Sequence, residues 1–431
     1  MKIIDSIATP ERISRLRDIR EKKRNEGFAA LHDVIGEEAI AELREMYNLF
    51  DERMLIWYAG LYDSDIGGFY FSETSRDNEG FLPDLESTAQ ALKFIKTQCG
   101  LEGIGEPIQS IPRDIGEKIY DFAYNLQDED GFFYHPQWGK DITESRRGRD
   151  LGNAAQLIAL KGKYKYPLPL SYERKAKPAV PDYLQDIDKY KHWISERPFS
   201  TKSYAMGNLI NSICGQIRDA GHEFACATID WLDSIQRADN GLWERDINYA
   251  SVNGLMKIAI SYPVFNAKIK HATAAFESAV HAITSNEPIE FACEFYNPWA
   301  AVSAILSHGD LNESEKAAMR ARLRECAPEM IRATTKKMKS TQTNEGNFAY
   351  FSASSGECCA YAQGVRVSLD NVWESDINGN GCSVNGPLRE MFKAFGIPIV
   401  PVFTQQDADL VFDIMRLPTQ KNDNLQHKEV L

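Results

Sequence analysis

Five asparagines, each beside glycine, alanine or proline, stand at the head of apolar segments with helical period. They are Asn153 in LGNAAQLIAL, Asn208 in MGNLINSI, Asn253 in YASVNGLMKIAISY, Asn297 in YNPWAAVSAIL and Asn385 in SVNGPLREMF. An asparagine there predicts a helix N-cap, and a small residue or proline beside it suits a first turn or a close helix contact. With Ser87 in DLESTAQAL, such starts recur six times. Between them lie charged, amphipathic segments at 36–50, 106–127, 216–236, 266–284, 311–339 and 404–416. A helix that is apolar all round is buried, and one with a charged face lies outside. The alternation predicts an all-α chain, an (α/α)6 or (α/α)7 toroid: an incomplete barrel of helical hairpins with short β turns. The segments 164–185 and 352–382 are then long loops at one mouth, where function concentrates.

A second pattern supports the repeat. LQDEDGFFYHPQW (126–138), IQRADNGLWERD (235–246) and TQTNEGNFAYF (341–351) each carry Gln, then Gly in an acidic or Asn-rich turn, then aromatics. YDSDIGGFYF (62–71) is a looser copy, and the turn glycines are Gly68, Gly131, Gly241 and Gly346. Each reads as a helix end, a glycine reversal and a short extended stretch. No Pro/Gly/Ser-rich linker divides the 431 residues, so one catalytic domain over 1–431 is expected, with 1–35 a helical extension. That extension either closes the ring or serves as a contact in a homo-oligomer.

Net charge −13 argues against a nucleic-acid or anionic-membrane partner. No apolar leader and no membrane span are legible, which points to the cytoplasm. The eight cysteines form no CxxC pair and read as reduced thiols. No two histidines stand at metal-ligand spacing, and no phosphate loop or dinucleotide fingerprint occurs, so no cofactor and no metal are expected. Residues 139–177 hold ten Lys and Arg against four acids. They read either as a solvated loop or as a basic rim for an anionic ligand.

Polar stripes run down the apolar helices. Asn253, Lys257 and Ser261 are spaced i, i+4, i+8, as are Asn385, Arg389 and Lys393, while Asn208, Asn211 and Ser212 form a third. Such stripes need a wet interior to face. The aromatics Phe132, Phe133, Tyr134, Trp138, Trp243, Tyr296, Trp299, Tyr350 and Phe351 could stack on sugar rings or pack beneath loops.

GECCAYAQGVRVSLDNVWESDINGNGCSVNGPLREMFKAFGIP (356–398), with GGFYF and DLESTAQAL within 67–92, resembles the α/α-toroid enzymes acting on polyuronates. The nearest likeness is to polysaccharide lyase family 38, the glucuronan and alginate lyases. The resemblance implies metal-independent β-elimination on an anionic oligo- or polysaccharide. Polar or cationic side chains neutralise the uronate carboxylate, and Tyr or His takes the C5 proton. Asn153, Asn208 and Asn253 with Arg149 or Lys257 can fill the first role. Tyr204, Tyr249, Tyr262 and Tyr296 can fill the second, Tyr296 first because FYNPW joins Tyr, Asn and Trp, with His135 in reserve. Trp138, Trp243, Trp299, Asn385 and Arg389 complete the expected binding surface. The alternative is a hydrolase for unsaturated uronyl oligosaccharides or a sugar epimerase on the same fold. A hydrolase would use carboxylates such as Asp84, Glu86, Asp150 or Glu244. A non-catalytic glycan-binding scaffold is the third reading.

Overall fold

The Gln–Gly pattern has a physical cause in the structure, a computed structural model describing residues 3–101, 111–159, 179–419 and 421. In each of the three close copies the Gln amide donates to the carbonyl of the turn glycine. The distances are 2.9 Å for Gln127–Gly131, 2.9 Å for Gln236–Gly241 and 3.4 Å for Gln342–Gly346. These glycines have φ of 85°, 69° and 84°, backbone that a side chain would strain. In the looser copy the left-handed residue is Gly67 (φ 88°), with Gly68 already in a strand.

The chain is mostly helical. It begins with α1 (Pro10–Ala29), α2 (His32–Ile35), α3 (Glu37–Tyr47) and α4 (Glu52–Gly60). The antiparallel pair β1 (Tyr62–Asp63) and β2 (Gly68–Phe69) follows, with Tyr62 opposite Phe69, then α5 (Glu73–Asp77). Next come α6 (Leu85–Gln98), α7 (Arg113–Asn125), α8 (Glu144–Ile158), α9 (Ile187–Ser195), α10 (Phe199–Ala220) and α11 (His222–Ile235). After these are α12 (Tyr249–Ala259), α13 (Ala272–Thr284), α14 (Cys293–His308) and α15 (Glu313–Lys339). A second hairpin, β3 (Tyr361–Ala362) and β4 (Val365–Arg366), leads to α16 (Ile377–Asn380), a π-helical turn Gly381–Asn385, α17 (Gly386–Phe395) and α18 (Gln405–Met415).

Six segments pack as successive neighbours: α6 on α8, α8 on α10, α10 on α12, α12 on α14, and α14 on α17. The order returns to its start because α16 and the π turn pack on α6. Register fixes direction. Ser203 meets Gly254 and Gly207 meets Lys257, so α10 and α12 run parallel. Cys293 meets Cys382 and Tyr296 meets Gly386, so α14 runs parallel to the π turn and α17. The charged helices α7, α11, α13 and α15 lie against this set, on α8, α10, α14 and α13 respectively. One contiguous apolar core runs from Leu16 to Met415. No helix among the described residues is long and apolar enough to cross a membrane.

Four of the asparagines are not caps, and the fifth, Asn385, stands at the N-cap position of α17 without a side-chain capping bond. Asn153, Asn208, Asn253 and Asn297 lie inside α8, α10, α12 and α14, and Asn385 ends the π turn. Residues upstream cap instead: Asp84 for α6, Thr143 for α8, Asn248 in a capping box with Ser251 for α12, and Asp376 for α16. Helix α10 kinks at Lys202 (φ −142°, ψ 43°), and its restart is capped from outside by Glu244, which accepts the Ser203 N–H at 2.7 Å. Gly254 is therefore no turn residue. A Cβ there would collide with the Ser203 side chain, and one at Gly207 would sit 2.8 Å from the Lys257 Cβ. The small residues let α10 and α12 approach.

Six of the ten cations of 139–177, Lys161 to Lys177, and part of the expected loop 164–185 lie outside the described residues, as does the start of segment 106–127. The segment 352–382 holds β3, β4 and α16.

Candidate active site

Two polar clusters form where the N-terminal halves of these inner segments meet. The first centres on Arg146, which is fully buried. Its Nη2 lies 2.8 Å from Asp150 and 3.5 Å from Asp84, and its Nη1 lies 3.1 Å from Glu86. The guanidinium also covers the Trp138 ring at 4.9 Å. Burial opposes its charge, yet Asp150, Glu86 and Asp84 raise its pKa. Burial pushes the Asp150 carboxyl up to about 7; Arg146 pulls it down, and Asp84 and Glu86 push it further up. Asp84 is already a cap, accepting the Glu86 and Ser87 N–H groups at 2.9 and 3.0 Å. Glu86 bridges outward, taking Arg149 Nη1 at 2.7 Å and the Gln90 amide at 3.1 Å. Every charge here has a partner.

The second cluster is Cys293, Cys382, Tyr350, Tyr204 and Lys257. Cys293 opens α14 and Cys382 lies in the π turn; their sulfurs are 3.9 Å apart and both residues are buried. The Tyr350 hydroxyl donates to Cys293 Sγ at 3.4 Å. Tyr350 and Tyr204 are half-buried, and each ring stacks on Phe291, at 5.5 and 6.4 Å. The hydrogen bond from Cys382 is the largest influence on Cys293, and with Lys257, Tyr350 and Tyr204 it lowers the thiol to about 6 against the opposing effect of burial. A place in the first turn of a helix adds in the same direction. Cys382 keeps its proton, held up by that hydrogen bond and by burial. Lys257 retains some accessible surface, yet burial lowers its ammonium, with Arg149 repelling it. Burial raises Tyr204, Tyr350 and Tyr296.

The expected site residues divide accordingly. Lys257 and Tyr204 join the thiol cluster, and Arg149 joins it to the Arg146 cluster through Glu86. Asn153 and Asn208 are half-buried on α8 and α10. Tyr296 is half-buried against Gly386, whose missing Cβ makes room for the ring, and Arg389 lowers its pKa against burial. Arg389 itself donates to Glu390 at 2.9 Å.

The remaining residues are structural in position. His135 is buried with both ring nitrogens engaged: Nε2 with the Pro83 carbonyl at 2.8 Å, and Nδ1 accepting the Gln137 N–H at 3.3 Å. It also stacks on Trp138 at 4.1 Å, so the ring is not free to take a substrate proton. Trp243 and Trp299 are core side chains, donating to the Leu232 carbonyl and to Thr334 Oγ1, both at 2.9 Å. Neither offers a face to a sugar. The Tyr249 hydroxyl donates to the Glu287 carbonyl at 2.8 Å, and Lys337 covers its ring. Asn385 accepts the Gln98 amide at 3.0 Å. Asn253 is fully buried, and its amide atoms have no hydrogen-bond partner. Arg146 is a buried hub, not a rim cation.

Sequence reasoning missed Cys293, Cys382 and Tyr350 as a group. The sulfurs come from positions 89 residues apart, and no local spacing announces them. A cavity of about 390 Å³ lined by Arg20, Lys23, Cys99 and Phe403 lies at the other end of α6 and contains none of this chemistry. Among the described residues no group of three or more His, Cys, Asp or Glu could hold a metal ion. No family model, no curated protein and no solved structure matches the chain.

Proposed function

We propose that the six neighbouring inner segments are the inner wall of an α/α toroid, and that the chain is a lyase cleaving uronic-acid-containing glycans by β-elimination. The closed neighbour order and the parallel register of α10 with α12 and of α14 with α17 support the toroid. One observation carries elimination over hydrolysis. The carboxylates a hydrolase would use are committed: Asp84 to a cap, Glu86 and Asp150 to arginines, Glu244 to the restart of α10. Lys257, the Cys293 thiol and the phenols Tyr204 and Tyr350 remain, while Arg149 is held by Glu86.

In this reading Lys257 neutralises the substrate carboxylate and so acidifies the C5 proton, and Arg149 adds positive field from its place on Glu86. The base differs from the Tyr296 that the sequence suggested. Burial holds the phenols protonated, whereas Cys293 is the group of this cluster whose ionisation is favoured. The Cys293 thiolate takes the C5 proton and the C4–O bond breaks. The leaving oxygen takes a proton from the Tyr204 hydroxyl, and the thiol then returns its proton to that phenolate. Charge and protons balance without a redox step.

The test is ultraviolet absorbance of the conjugated double bond, with the chain incubated with alginate, glucuronan, pectate or glycosaminoglycans, with and without chelator. A rise that survives chelation and disappears in Lys257→Met supports the proposal. Loss of absorbance from pre-unsaturated oligomers would replace it with the hydrolase.

A further inference from the structure

The two thiols have a geometry that acid–base chemistry does not require. We propose that Cys293 and Cys382 are an oxidation site for small hydroperoxides, with Cys293 the attacked sulfur and Cys382 the resolving one. The proposal does not rest on the lyase reading.

Three observations converge on it. The sulfurs face each other at 3.9 Å, about 2 Å beyond the bonded distance. Cys382 lies in a single π-helical turn, Gly381–Asn385, between two α-helical segments, where backbone adjustment is easiest. The surroundings of Cys293 favour thiolate from several elements: the Tyr350 hydroxyl, Tyr204 from α10, Lys257 from α12 and the first turn of α14 itself. The adjoining Glu294 is turned away, accepting the Glu290 N–H at 2.6 Å. Other cysteines lack this setting. Burial raises Cys99, Cys214, Cys326 and Cys359. Cys226 is exposed beside His222, with no second thiol against it.

The chemistry closes with the peroxide as sole oxidant. The Cys293 thiolate attacks the terminal oxygen, the O–O bond breaks, and alkoxide or hydroxide leaves and takes a proton, giving a sulfenic acid. The Cys382 sulfur then attacks Cys293 Sγ, hydroxide leaves as water, and a disulfide remains. Two electrons pass from the thiol pair to the peroxide. The disulfide removes the acceptor of Tyr350 and the negative charge facing Lys257, and an added dithiol restores both.

The experiment is peptide mass spectrometry of the full chain after near-stoichiometric hydrogen peroxide at neutral pH. The expected product is a Cys293–Cys382 linked peptide, reversible by dithiothreitol, forming about tenfold faster than oxidation of Cys226. In Cys382→Ser, dimedone should label Cys293; in Cys293→Ser, Cys382 should stay reduced. If Cys293→Ser does not fold, the dimedone label on Cys382→Ser decides alone. Oxidation that begins at Cys226 or at Cys358 and Cys359, with no linked peptide, overturns the proposal.

Discussion

The Arg146 cluster and the Cys293 cluster are both rich in ionisable groups and feel each other through the field of Arg149 and Glu86 on Lys257, yet their design is opposite. Arg146 is fully buried with three carboxylates, Asp84 also capping α6, Glu86 also on Arg149, and Asp150 on Arg146 alone. Such an arrangement holds α6 against α8 and leaves nothing over for a ligand. Around Cys293 the groups are two buried thiols with half-buried phenols and an ammonium, joined by long, weak contacts of 3.4 and 3.9 Å. Charge density alone does not mark a site; incomplete pairing does. The contrast also predicts opposite responses to pH. Asp150 has a folded pKa raised to about 7, so it contributes stability at low pH that is lost as pH rises through 7. Cys293 has a folded pKa lowered to about 6, so it contributes stability present above about pH 8.5, the unfolded value, and lost as pH falls through 6.

The strongest way to break the comparison is Arg146→Met. Asp84 and Asp150 left without a cation, and Glu86 with Arg149 alone, should destabilise the fold by roughly 3–5 kcal/mol in urea unfolding, with Arg146→Lys between that variant and the parent. A loss under about 1 kcal/mol would mean that the cluster is hydrated and not a structural hub. Next come the pH slopes. Asp150→Asn should flatten the fall in stability between about pH 4 and 7, and Cys293→Ser should flatten the rise between about 6 and 8.5. Equal slopes in both variants would erase the distinction. A smaller effect follows for Lys257→Met. Losing the ammonium should move the midpoint of Cys293 alkylation by iodoacetamide upward by about one pH unit, with folding intact. An unmoved midpoint would assign the lowered thiol to Cys382 and the helix start alone.

The outer helices were legible because their signals are local. Segment 311–339 became α15, opened by Asn312 in a capping box with Glu315, and 404–416 became α18, capped by Thr404 with Asp407. The Gln–Gly turns were legible for the same reason: a positive φ and one side-chain bond fit within six residues. The starts near Ser87 and Asn385 fall within two residues of α6 and α17, but those at Asn153, Asn208, Asn253 and Asn297 were misplaced by one to three turns. Asn-Gly reads locally as a turn, but Gly254 answers to Ser203 of another helix, a tertiary demand that overrides local preference. Arg146 was misread because its neighbours Asp84 and Glu86 lie about sixty residues earlier in the chain. Helix α9, which packs on α11, was missed because it follows a Pro-rich stretch. The thiol cluster was invisible because three distant segments supply it.

The smallest effect falls on the asparagines with which the sequence began. Asn253 in α12 and Asn297 in α14 are both fully buried, and neither amide has a hydrogen-bond partner. A buried amide without partners costs about 1–3 kcal/mol, and a residue of similar size without the polar atoms removes that cost. Asn253→Leu and Asn297→Leu should therefore leave urea stability unchanged or raise it by up to about 2 kcal/mol, less any overpacking from the branched end. Neither variant should alter Cys293 alkylation, because neither amide bonds to the thiol cluster. A loss above 2 kcal/mol in either variant, with alkylation slowed, would show that the amides hold something that stabilises both helices. The incomplete pairing seen around Cys293 would then extend along α12 and α14, and the asparagines would belong to the candidate site after all.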